Sequence, residues 1–304
     1  MKELAPIILF VYNRLDHTTQ TINSLKNNFL ADKSILYIYS DAPKNKKDIE
    51  SVEQIRNYIN KITGFKKIII IERNNNMGLA DSIIDGVSSI VNKYKKVIVL
   101  EDDLVTSKYF LTFLNESLNE HINNKNIMSI AGYSFPIEIP KNYNYDVYIF
   151  YRCMSWGWAT WKDRWDNVDW SMNNINETLT DVKFKKEFSR GGEDLHPMLI
   201  RQLKGKVNSW AIRWCLHHYK TNSSCLYPLN SLVKNIGFDG TGVHCGVDPS
   251  FERITIEDKK INVRFNNLYN SKIVSEIQKI HLSKSFLEKV FNKLKKYFQK
   301  YFKS

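Results

Sequence analysis

The stretch Lys96-Val97-Ile98-Val99-Leu100-Glu101-Asp102-Asp103 sets an aliphatic run directly against three carboxylates. Val97 to Leu100 show no polar alternation, which predicts a strand covered on both faces in the middle of an α/β sheet. The acids cannot follow that strand into an apolar core, because an unpaired buried carboxylate is too costly. They belong at its carboxyl end, where open α/β sheets bind their ligands. If the extended chain continues, Glu101 and Asp103 face one way and Asp102 the other. Carboxylates this close repel one another unless a cation or a set of donors neutralises them, and a hard divalent ion bridging to a phosphate would do so. Taken alone, the triplet is explained as well by a polar turn leading into a helix at Ser107.

Upstream, Pro6 to Tyr12 reads as a first strand, followed by the loop Asn13-Arg14-Leu15-Asp16 with Asp16 as the N-cap of a helix through Leu25. Ile35 to Ser40 reads as a second strand ending in Asp41. Ile49, Val52, Ile55, Ile59 and Ile62 recur at helical spacing, with Gly64 as the stop. Phe65 to Glu72 is a third strand, Arg73 to Gly78 a polar loop, and Leu79 to about Asn92 a helix. This alternation predicts a mainly parallel, doubly wound sheet with helices on both faces. Its carboxyl-end loops bring Asn13, Arg14, Asp41, Arg73, Asn76, Gly78 and the three acids to one rim, which favours a ligand site. No Gly-x-Gly-x-x-Gly and no phosphate-loop motif occurs, so dinucleotide dehydrogenases and phosphate-loop NTPases are disfavoured. A nucleoside diphosphate remains the suggested ligand, gripped through a metal on Asp103 and cations such as Arg14 or Arg73. Asp41 either accepts a hydrogen bond from a base imide or forms the turn before Pro43.

The Asn-Arg loop after the first strand, the Ser40-Asp41 strand end, Arg73-x-x-Asn76-x-Gly78 and Glu101-Asp102-Asp103 together resemble a glycosyltransferase of the GT-A fold. Within that group the triplet most resembles N-acetylglucosaminyltransferase I and its bacterial relatives, over roughly Pro6 to Ser134. The resemblance implies manganese, or magnesium, on Asp103. It also implies that Glu101 and Asp102 face sugar and ribose, that Asp41 contacts uracil, and that Gly157 lies beside the donor sugar. The expected activity is metal-dependent transfer of a sugar from a nucleotide sugar, a UDP sugar first of all, to a glycan acceptor with inversion.

In the second half, Ser107 to Asn123 reads as a helix and Ile127 to Gly132 as a strand, then an irregular aromatic connection reaches a strand near Val147. Trp156, Trp158, Trp161 and Trp165 fall within ten residues, either as sugar-stacking surfaces or as a core that closes the sheet. Gly157 would let backbone approach a ligand closely. Inverting transfer needs a general base, and a carboxylate is the usual choice. The family places one beside a tryptophan where this chain has Ser209-Trp210-Ala211-Ile212-Arg213-Trp214, without an acid. Glu193 and Asp194 are the substitutes, unless they only favour the positive end of the helix Pro197 to Leu203. Asn235 to Val247 holds four glycines and reads as a loop that closes over the donor, with His244 near phosphate or metal or simply part of the loop.

The 304 residues, 43% hydrophobic, suffice for a large core. The expected division is a nucleotide-sugar half at 1–104, an acceptor half at 105–270 and a tail at 271–304. Net charge is +12, and seven lysines against one glutamate between Lys284 and Ser304 supply half of it. Phe286, Leu287, Val290, Phe291, Leu294, Tyr297, Phe298, Tyr301 and Phe302 follow helical spacing there, as in a basic amphipathic helix lying on an anionic membrane or docked on its own domain. That tail suggests a peripheral protein on the inner face of the cell membrane and a lipid-linked acceptor. Charge gathered on an apolar-faced helix argues against nucleic acid as a partner. Four cysteines without metal spacing read as reduced thiols of a cytoplasmic protein. Two rival readings stay open: a non-catalytic carbohydrate- or membrane-binding protein, and a sugar nucleotidyltransferase, which would need a glycine-rich loop after the first strand.

Overall fold

In β1 (Ile7–Val11) every residue is buried, and alternate side chains enter different cores. Ile7, Leu9 and Val11 pack with Ile22 and Leu25 of α1 (Leu15–Lys26) and Ile55 and Ile59 of α2 (Ile49–Ile59). Ile8 and Phe10 pack with Ile83, Val87 and Ile90 of α3 (Leu79–Tyr94). The same sorting holds in β2 (Ile35–Ser40), where Leu36 and Ile38 oppose Tyr37 and Tyr39, and in β4 (Lys96–Glu101), where Ile98 and Leu100 oppose Val97 and Val99. A sheet buried on both faces is the reason the opening stretch carries no polar alternation. Gly86 lets α3 settle against β1, since a Cβ there would lie 2.9 Å from Phe10 Cζ.

The structure, a computed structural model, describes residues 3–172, 175, 179–241 and 255–281. After β3 (Lys67–Glu72) and β4 come β5 (Leu104–Thr106), α4 (Phe110–Glu120), β6 (Ile127–Ala131), β7 (Val147–Phe150), β8 (Trp158–Trp161) and the short α5 (Lys162–Trp165). The chain continues with α6 (Val182–Phe188), α7 (Leu195–Leu203), α8 (Trp210–Lys220), β9 (Ser224–Pro228) and β10 (Val233–Asn235), and residues 271–281 are helical. Eight strands form one sheet in the order β3-β2-β1-β4-β8-β6-β9-β7. β1 to β4 are parallel, β6 and β9 run with them, and β7 and β8 run against them. This is the expected mainly parallel α/β sheet, buried on both faces. Both halves of the chain share it, because β8 from the second half lies between β4 and β6.

Several local expectations are corrected. Helix α1 begins at Leu15 with Arg14 at its N-cap, so Asp16 lies in the first turn and does not cap. Helix α4 begins at Phe110, three residues late, because Ser107 is held by the Glu257 carbonyl and the Asp258 carboxylate. Trp158, Trp161 and Trp165 are at most 2% exposed, and Trp158 stacks on Trp210 at 4.9 Å. Those three are core, while Trp156 is half-buried against Tyr133 and Phe238. Cys153 and Cys215 meet as buried thiols, Sγ to Sγ 2.7 Å. His244 and the amphipathic stretch after residue 281 lie outside the described residues. Among the described residues no helix is long and apolar enough to cross a membrane.

Candidate functional site

The carboxyl ends of β1, β2, β3 and β4 share one edge of the sheet, as their parallel registers require. β4 stops at Glu101, so the strand alternation expected through Asp103 ends there. Asp102 and Asp103 turn to a common partner instead. Arg14 Nη2, from the β1–α1 loop, donates to Asp102 Oδ1 at 2.5 Å and to Asp103 Oδ2 at 2.8 Å. Thr21 of α1 fixes the turn between β4 and β5, donating to the Asp102 carbonyl and accepting from the Leu104 amide.

The charges are incompletely balanced. Burial, then the charges of Asp103 and Asp102, pushes the Glu101 carboxyl up to about 8 against the opposing pull of Arg14. Burial raises Asp102 as well, despite Arg14. Burial also works against the Arg14 charge, but the two aspartates outweigh it and keep the guanidinium protonated above its ordinary range. Among the described residues its Nη1 is buried without a hydrogen-bond partner. Three hard carboxylates facing one guanidinium form a donor set suited to a hard divalent cation such as Mn2+ or Mg2+. Among the described residues no three ligating side chains already converge on one point, and Arg14 bridges Asp102 and Asp103.

A second segment covers this cluster: residues 235–241, the described part of the stretch expected to close over the donor. β10 pairs antiparallel with β5, and the Ile236 amide donates to the Asp103 carbonyl. Gly237 follows so closely that a Cβ there would stand 2.2 Å from Asp103 Oδ2 and 3.1 Å from Arg14 Nη1. Two residues on, Asp239 Oδ2 lies 3.1 Å from His17 Nε2 on α1, while Asp239 Oδ1 accepts from the Thr241 amide and hydroxyl. Those bonds from Thr241 hold the Asp239 carboxyl below its usual range. The segment is therefore fastened at the acids and at the start of α1. Asn235, expected in a loop, belongs to β10. No sequence spacing linked His17, Gly237 or Asp239 to the acids. The glycine-rich composition was the sole signal.

Asp41 anchors the neighbouring loop. Its Oδ1 accepts from the Ala42 and Met77 amides and its Oδ2 from the Gly78 amide and Asn76 Nδ2. A carboxylate offers about four acceptor positions, so Asp41 is saturated by protein donors and has no free oxygen for a base imide in this conformation. Gly78 adopts φ +73° with open space where a side chain would be. Arg73 pairs with Asp85 and lies over the Tyr39 ring at 4.9 Å, which points it at α3 rather than at the acids. Asn13 Nδ2 reaches Asp48 at 3.5 Å.

Two of the expected site residues are engaged within the protein itself. Gly157, at φ +61°, is required by internal packing, since a Cβ would meet Phe110 at 2.9 Å and Val233 at 3.0 Å. Its close approach in the chain itself is to those side chains. Asp194 is forked by Arg152, Oδ1 to Nη1 and Oδ2 to Nη2 both at 2.8 Å, with His281 at 3.6 Å. Burial opposes its charge, but Arg152 prevails and holds the carboxyl below its usual range. A carboxylate so occupied is a weak proton acceptor. Glu193 beside it is exposed. A hollow of about 560 Å3 lies elsewhere, lined by Glu116, Asp146 and Arg264 among others and by no residue of the acid cluster.

No protein-family model matches this chain, and no curated protein matches it. Solved structures similar to it include residues 1–349 of TarS from S. aureus, at 10% identity and TM-score 0.41, covering 75% of this chain and 59% of that one. A longer TarS structure gives 12% identity and TM-score 0.37 over 81% of this chain and 38% of that one. The mannosyltransferase PcManGT from Pyrobaculum calidifontis, in complex with GDP-Man and Mn2+, gives 10% identity and TM-score 0.35, covering 53% of this chain and 46% of that one. The chain thus spans between 38% and 59% of the lengths of these structures. At such values the reading of function rests on the site's own geometry, and the narrower likeness to N-acetylglucosaminyltransferase I on the motifs quoted above.

Proposed function

We propose that this chain is a glycosyltransferase that moves a sugar from a nucleotide sugar, a UDP sugar first of all, onto a glycan acceptor. The observation that carries the proposal is the meeting of Arg14, Asp102 and Asp103 at the carboxyl end of the sheet under the Gly237 segment. A ligand bearing both negative phosphates and a cation answers that charge pattern.

Asp103 would hold the divalent ion, with Glu101 and Asp102 beside it. Bound there, the ion would neutralise the departing diphosphate without a protonated leaving group. The chain's own groups do the rest. Arg14 is the guanidinium nearest that position. The loop 73–78, whose Met77 and Gly78 amides are held by Asp41, would flank the donor. The segment 235–241 excludes water on one side, which limits hydrolysis of the donor. A nucleotidyltransferase would instead need a glycine-rich loop after β1, and Tyr12 to Asp16 does not supply it.

The membrane surface enters through the basic, apolar-faced stretch after residue 281. We propose peripheral attachment to the inner face of the cell membrane and a lipid-linked acceptor in surface polysaccharide synthesis. Sedimentation with anionic liposomes tests this: binding that survives deletion of Lys284 to Ser304 unchanged would dispose of it.

A panel of nucleotide sugars, assayed for Mn2+-dependent release of nucleoside diphosphate, tests the activity. Release by wild type and its loss in Asp103→Ala are expected. Equal release by both would sink the metal assignment. A second reading, a non-catalytic binding protein, draws on one observation: Asp194 is locked to Arg152, leaving the base unassigned. No release with any donor, together with retained binding of a nucleoside diphosphate, would favour it.

A further inference from the structure

We propose that Arg14 is the resident cation of the acid cluster in the donor-free protein, and that its guanidinium passes to the donor's diphosphate when a divalent ion binds. This rests on the reading above. One nitrogen, Nη2, lies between Asp102 and Asp103 at 2.5 and 2.8 Å, the position two carboxylates would share around a metal. The other, Nη1, is buried and makes no hydrogen bond to any described residue. A guanidinium presents a planar fork of donors that matches phosphate as well as carboxylate, so an arrangement that engages Nη2 twice and Nη1 not at all leaves its hydrogen bonding unfinished. The bare backbone of Gly237 is the neighbour on that side.

The geometry makes the two occupants exclusive. A divalent ion ligated by Asp103 competes for the oxygen that Arg14 now holds, so the ion alone must displace a charge-assisted bond. A diphosphate alone meets a guanidinium already committed to two aspartates. Together they resolve the conflict, because the ion takes over the carboxylates while Arg14 turns to the phosphates. Each ligand thereby removes the obstacle to the other, and linkage requires the coupling to be reciprocal.

The test is equilibrium Mn2+ binding, read from the paramagnetic resonance signal of the free ion, for wild type, Arg14→Gln and Asp103→Asn. Each is measured alone, with UDP and with GDP. For wild type, Mn2+ alone should bind weakly, and the effective nucleotide should tighten it about tenfold or more. For Arg14→Gln, Mn2+ alone should bind about tenfold more tightly than to wild type, and the nucleotide should add less than about threefold. Asp103→Asn should bind the ion in neither state. If Arg14→Gln gains nothing while Asp103→Asn abolishes binding, Arg14 is no competitor, and the exchange fails while the donor-site reading stands. If wild type binds no Mn2+ with or without either nucleotide, the metal assignment on Asp103 fails and the exchange goes with it. Should Arg14→Gln not fold, Arg14→Met serves, since it keeps an unbranched stem to pack in the same space and removes the charge that Nη2 now places between the two aspartates. The same two changes are expected of it, and their absence counts equally against the exchange.

Discussion

A single methyl on Gly237 tests whether the covering segment presses on the acid pair. Built on the present backbone, that carbon would stand 2.2 Å from Asp103 Oδ2, 2.9 Å from its Cγ and 3.1 Å from Arg14 Nη1. Carbon–oxygen contacts settle near roughly 3.3–3.6 Å, so about 1 Å of movement has to be found. The 2.8 Å bond from Arg14 to Asp103 cannot absorb that without breaking. Losing a hydrogen bond to a charged group costs about 1.5–3 kcal/mol, and overpacking about 1–3 kcal/mol. The two overlap, and the side chains concerned are 19% and 10% exposed, so solvent recovers little. Gly237→Ala should therefore destabilise by about 2–4 kcal/mol, lowering Tm by about 3–6 °C for a chain of 304 residues.

Nucleotide binding supplies the second readout, since a displaced Asp103 should also weaken UDP with Mn2+ by at least about tenfold. Gly205→Ala is the control. Gly205 has φ +64° and open space around a Cβ, so its substitution brings only backbone strain of about 1 kcal/mol and should leave nucleotide binding alone. Gly237→Ala with wild-type Tm and wild-type nucleotide affinity would refute the argument, because the segment would then have slack over the acids.

Asp41→Asn should loosen the loop 73–78, since an amide cannot accept all four of the present bonds. A loss of nucleotide affinity for every base is expected, and a change confined to base preference would restore the uracil reading. Trp158→Ala, at a position 0% exposed, should cost about 3–5 kcal/mol by denaturant unfolding. Trp156→Ala should cost clearly less, and equal losses would contradict the division of the cluster. Burial depresses His218 to about 3, while the unfolded chain takes up that proton near 6.5. The unfolded state binds more protons between those values, so stability should fall as pH drops from about 6.5 to about 3, by on the order of 5 kcal/mol from this group. His218→Gln should flatten that limb, and an unchanged slope would remove His218 as its source. Asp194→Asn should lower Tm yet keep kcat within about threefold, whereas loss of a general base costs about 100-fold or more.

What could be read in advance follows the distance over which each feature is determined. β1 to β4 and α2 to α3 were legible because burial on two faces writes a local apolar run, and the acids had to follow a strand they could not enter. β8 was not legible, since it is only four residues long and its apolar run is broken by Thr160, too short to stand out from the surrounding tryptophans. Asp41 was correctly singled out and its setting missed, because the donors that saturate it are largely backbone amides, which every residue carries.

The acid cluster shows the same limit at its sharpest. Arg14 was expected to meet phosphate, and the acids to meet a metal, yet in the structure they meet one another across a sequence gap of 88 residues. Side chains chosen for opposite charges on a shared ligand will pair when that ligand is away, as unlike charges in a poorly solvated cleft must. The ion pair therefore does not argue against a donor site. It is what such a site looks like at rest, provided that one partner retains an unused donor with which to receive the ligand. Arg14 Nη1 is that donor.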